Sequence, residues 1–144
     1  MIKKIDFRYL FSYMGILPYL ILLIDKTFFG HIQINIINDF FIYYSLIIIV
    51  FIGAVNWSLK NKITFFQALY GVSPSFFSVV VIFLKQYHFN HIIIVLLIIF
   101  FVIFQIIFDF KCIFSFKNKK IFFWLRLPLS ILICLFLIIN LLKS

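Results

Sequence analysis

The chain has 144 residues, of which 66% are apolar and 12% charged, and its mean hydropathy is +1.23. Soluble domains run at about 45–50% apolar and about 25% charged, so a water-soluble fold would leave large apolar areas exposed, and lipid is the solvent that fits. The net charge of +9 comes from 13 basic and 4 acidic residues, but the lysines stand where apolar runs end, which suits loops beside anionic headgroups and argues against nucleic acid as a partner.

A helix needs about 20 apolar residues to cross a hydrocarbon core about 30 Å thick. Five runs approach or meet that length, at residues 9–24, 40–59, 64–84, 91–110 and 121–142. They predict an all-α polytopic membrane bundle, one integral domain over residues 1–144, with no room for a soluble domain in the loops. The first run is the weakest, being short, holding Pro18 and ending at Asp25-Lys26. Lys3, Lys4 and Arg8 precede it as in a signal peptide, but no small-residue cleavage site follows, so it is read as a span. Residues 25–39 alternate Ile32, Ile34 and Ile36 with Gln33 and Asn35, a pattern open to an extended or an interfacial reading.

The second run carries Gly53 and Ala54 near its end, and the third carries Ala68, Gly71, Ser75 and Ser78. Small residues spaced three, four and three apart lie along one helix face and predict close helix–helix packing, with Gly53 on the facing helix. Pro74 removes a backbone hydrogen bond and crowds the carbonyl of Tyr70, which predicts a bend. Orientation follows from the basic residues. Lys3, Lys4, Arg8, Lys60, Lys62, Lys111, Lys117, Lys119, Lys120 and Arg126 fall on one side; Lys26, Lys85 and Lys143 fall on the other. The asymmetry predicts a cytoplasmic N-terminus and an outward C-terminus, with Trp57 and Trp124 near the cytoplasmic boundary.

Polar side chains in the spans gather at one depth. At ~1.5 Å per residue, Asn56, Gln67 and Arg126 lie within about 5–8 Å of the cytoplasmic ends of their helices. Asp109 ends the fourth span and Gln105 lies one turn deeper on the same face. An Asp109–Arg126 pair with Gln105, Asn56 and Gln67 as amide neighbours reads as a structural clasp between consecutive helices, with a cytoplasm-facing site as the alternative. The outward half is almost free of polar residues, Asn140 excepted. His31, His88 and His91 fall in different outward loops without metal-ligand spacing. Cys112 and Cys134 differ in membrane depth and predict no disulfide. No nucleophile elbow, P-loop, HExxH or CxxCH motif occurs, so no catalytic residue, cofactor or metal is expected.

Five stretches occur in the order Gly15-Ile16-Leu17-Pro18-Tyr19, Phe51-Ile52-Gly53-Ala54-Val55-Asn56-Trp57, Tyr70-Gly71-Val72-Ser73-Pro74-Ser75, Gln105-Ile106-Ile107-Phe108-Asp109 and Trp124-Leu125-Arg126-Leu127-Pro128-Leu129. Together they resemble the pattern of the transmembrane protein 69-like family, domain of unknown function 3429, over residues 7–142. Family members tend to carry Gly where this chain has Ser58. The resemblance implies a small multi-pass protein of bacterial inner membranes or, in organelles, the mitochondrial inner membrane, and implies no activity. The expected role is a structural, assembly or accessory component of a membrane complex, with the lipid bilayer and other membrane proteins as partners. A small-solute or proton transporter using the cytoplasmic-side cluster is the alternative.

Overall fold

The computed structural model describes residues 13–55, 65–110 and 122–143. Among these residues the fold is all-helical, without strands. Five α-helices follow one another: α1 (Leu17–Ile24), α2 (Ile34–Val55), α3 (Phe65–Gln86), α4 (His91–Phe108) and α5 (Leu127–Leu142). Five-residue π-helical segments extend α1 (Asp25–Phe29) and lead into α5 (Phe122–Arg126). Three helices are long and apolar enough to cross a membrane, through Ile34–Gly53, Ala68–Gln86 and His91–Phe108, and Leu127–Leu142 is a shorter apolar helix. Residues 9–12, 56–59, 64, 111–120 and 121 of the expected spans and loops lie outside the described set.

Pro18 stands in the first turn of α1, where a missing N–H removes nothing, so it starts the helix rather than weakening it. Pro128 does the same for α5. Residues 25–39 are largely helical and not an extended segment: a π-helical turn ends at Gly30 in the left-handed region (φ 63°), and α2 begins at Ile34, six residues before the expected start. Asn35, Asn38 and Asp39 lower the local hydropathy and so hid the helix, whose backbone ladder continues through them. The turn between α3 and α4 closes with His88 left-handed (φ 57°), while the Phe89 N–H donates to Leu84 O and the His88 N–H to Lys85 O. That is the reciprocal pattern by which helix ends satisfy their last carbonyls. Asn90 then caps α4, its Oδ1 accepting the Ile92 N–H at 2.9 Å.

Helix α2 is central and packs on α3, α4 and α5. Its buried face of Ile37, Phe41, Ile42, Leu46 and Ile49 meets Ile94, Val95, Ile98 and Val102 of α4 and Ile133, Phe136 and Leu137 of α5 in one core. Tyr19 fixes α1 to this core. Its ring lies parallel to Phe136 of α5 at 5.6 Å and meets Phe41 and Tyr44 of α2 edge-on, near 5 Å, and its hydroxyl shares a hydrogen bond with Ser45 Oγ at 2.6 Å. Tyr44 reaches back to the Gly15 carbonyl. The outward surface is lined by Leu20, Phe51, Phe76, Phe83, Phe100, Phe104 and many other exposed large apolar residues, a surface that water does not favour and acyl chains do.

Candidate functional site

One end of the bundle, the inner one by the orientation that the basic residues predict, where α2 and α4 finish and α3 and α5 start, holds a charged pair. Asp109 follows the last turn of α4, and Arg126 ends the π-helical turn before α5. Arg126 Nη1 donates to Asp109 Oδ2, and its Nη2 donates to the carbonyl of Ile52 on α2. Both side chains are almost wholly enclosed. Tyr70 of α3 completes the set: its hydroxyl lies 3.0 Å from Asp109 Oδ1 and 3.1 Å from the Gln105 carbonyl. One ion pair therefore ties together α2, α3, α4 and α5. A guanidinium suits this task because its planar fork offers donors in two directions at once.

Gln105 is buried on the same face as Asp109. Asn56 lies outside the described residues, as does the side chain of Gln67, whose backbone belongs to the first turn of α3. The small residues divide. Gly71 and Ser78 are buried, Ala68 is half-buried and Ser75 is exposed, so the four do not form one continuous seam. The buried face of α3 instead runs through Tyr70, Pro74, Ser78 and Val81. At ~100° of helix rotation per residue, Ser75 stands about a quarter-turn away from Pro74 and faces outward. Gly53 does meet α3: a Cβ there would lie 2.6 Å from Pro74 Cγ and 3.1 Å from the Gly71 carbonyl. The proline ring occupies the space that any side chain at position 53 would need. The Tyr70 carbonyl, which lacks its usual donor because Pro74 has no N–H, accepts the Ser73 hydroxyl at 2.8 Å.

The opposite end carries a second polar cluster that sequence reasoning missed. Lys26 Nζ donates to Asn38 Oδ1 at 3.1 Å, to the Asn140 carbonyl at 3.1 Å and to Asn140 Oδ1 at 2.8 Å, and Asn140 Nδ2 donates to Asn38 Oδ1 at 3.1 Å. Partial burial and then the nearby Lys143 charge lower the Lys26 pKa. Lys85 pairs with Asp39 at 2.6 Å, and Asp25 accepts the Ile32 N–H at 3.0 Å and faces His31 at 3.3 Å. This half of the bundle is thus not poor in polar groups, and Asn38 and Asp39 stand inside α2 because that helix begins before its expected start. Nothing in the local sequence signals that Asn38 and Asn140, 102 residues apart, share one lysine.

The two clusters stand about 20 Å apart along α2, from Asn38 to Ile52 at ~1.5 Å per residue. Between them, among the described residues, the interior is apolar apart from the Tyr19–Ser45 hydrogen bond and the buried hydroxyls of Ser78 and Ser130. Among the described residues no three His, Cys, Asp or Glu side chains gather as a metal site, and Cys134 is a free, half-buried thiol in α5. Comparison with known protein families, with curated proteins and with solved structures finds no match.

Proposed function

We propose that the protein is a multi-pass membrane protein with a structural, assembly or accessory role in a larger membrane complex, and that it is not an enzyme. The observation that carries this reading is how the inward-facing charges are used. Arg126, Asp109 and Lys26 each bond to groups on other helices, so they act on the bundle itself. A transporter would need polar groups or water through both leaflets. Tyr19, Phe41, Ile49, Ile98, Ile133 and Leu137 fill the middle instead, which counts against a path through one copy.

The reading includes five spans with the N-terminus in the cytoplasm, in a bacterial inner membrane or its mitochondrial counterpart, as the family resemblance implies. Two features support five crossings. Residues 122–142 form one helical run of about 30 Å at ~1.5 Å per residue, enough for a fifth span. The bonds Tyr13–Trp124 at one end and Lys26–Asn140 at the other run α1 alongside α5 over its length. Mild detergent extraction followed by native electrophoresis tests the role: co-migration with other membrane proteins is expected. Migration as a free monomer of 17.3 kDa plus detergent, together with solute or proton flux in vesicles, would replace it with the transporter reading. An alkaline phosphatase fusion after Ser144 should be active; an inactive one reverses the topology.

A further inference from the structure

Gln105 stands apart from the groups that bind the helices together. It is 3% exposed, and its Nε2 finds no acceptor among the described residues. It belongs to the inward stripe of α4, following Val95, Ile98 and Val102 and preceding Asp109 at alternating spacings of four and three. Its side chain therefore points into the bundle one turn from the ion pair. Its carbonyl shares the Tyr70 hydroxyl with Asp109. A buried amide donor left unmet carries the full desolvation cost of its N–H group. A leucine of similar size would continue the apolar stripe without that cost, so a glutamine at this depth calls for an acceptor that the described residues do not provide.

We infer that Gln105 Nε2 holds a water molecule beside the Asp109–Arg126 pair, which makes this end of the bundle a hydrated ionic site and not a dry clasp. The chemistry selects a small neutral molecule. An anion would face the Asp109 carboxylate, and a cation has no lone pair for the amide. Water offers two lone pairs and two protons, and a buried water typically makes about three hydrogen bonds.

Hydroxyl-radical footprinting by X-ray radiolysis, on the whole protein in lipid nanodiscs, tests the inference. A bound water yields its radical in place, so an enclosed side chain beside it is oxidised in spite of its burial. Tyr70 is 5% exposed and Tyr19 is 0% exposed but far from the site, which makes it an internal control. Tyr70 should be oxidised several-fold faster than Tyr19, and Gln105→Leu should bring the two rates together and lower the melting temperature. Equal rates for Tyr70 and Tyr19 in the unsubstituted protein would overturn the inference, whether or not the variant folds. So would a Gln105→Leu protein that melts higher, since that is the behaviour of an amide with nothing to bind.

Discussion

The two ends of the bundle hold their charges by opposite means. At the inner end a guanidinium and a carboxylate face each other, nearly sealed from solvent, with Tyr70 and the Ile52 carbonyl taking further lone pairs and protons. At the opposite end an ammonium, that of Lys26, rests on the oxygens of Asn38 and Asn140. Charge bound to charge in a low-dielectric setting makes each partner depend on the other. Charge bound to neutral amides, on a flexible stem near the surface, can be given back to water. The inner end should therefore break sharply and the outer end gradually.

The largest expected effect is at the inner pair. Asp109→Asn or Arg126→Gln alone leaves one buried charge without its partner, at a cost of about 3–5 kcal/mol. The double substitution should cost much less than the two singles together, as read from denaturant unfolding in detergent. Additive losses would mean that the residues do not act as a pair. The second effect tests the backbone contact beside it. Gly53→Val brings a side chain into the space of the Pro74 ring and should cost about 1–3 kcal/mol by overpacking, seen as lower folded yield and melting temperature. An unchanged melting temperature would show that α2 and α3 separate freely there. The smallest effect belongs to the outer end. Asn140→Leu removes the side-chain oxygen, one of the three acceptors around Lys26, together with the Asn140 Nδ2 bond to Asn38, but the ammonium keeps the backbone carbonyl and can turn to water, so a loss of about 1 kcal/mol is expected. A loss as large as that at Asp109 would erase the distinction between the two ends.

This contrast also governs what was legible in the sequence. Asp109 and Arg126 interrupt long apolar runs on either side of one loop, and an ionised group in such a run has few places to go. Their partnership follows from local position. Lys26, Asn38 and Asn140 meet through three separate helices, and each reads alone as an ordinary residue at a helix end. Tyr19 is similar: in a chain with 23 Phe and 7 Tyr, one more aromatic carries no signal, although this ring docks α1. The spacing of small residues in α3 was visible, but the helix presents Pro74 and Tyr70 at the centre of its buried face, which turns Ser75 outward. Hydropathy located the apolar runs and missed where α2 begins, because the backbone of a membrane helix keeps its ladder through polar residues that find partners.

Tyr70 connects two features that are usually considered apart. Its carbonyl is the one that Pro74 deprives of a donor, and its hydroxyl holds Asp109. In mechanical terms, the weakest point in the α3 ladder and the grip on the acid are the same residue. A thicker or thinner bilayer changes the tilt and curvature demanded of a helix, and α3 yields most easily at its proline. A bend or shift of α3 at its proline would therefore be carried to the carboxylate through the Tyr70 ring.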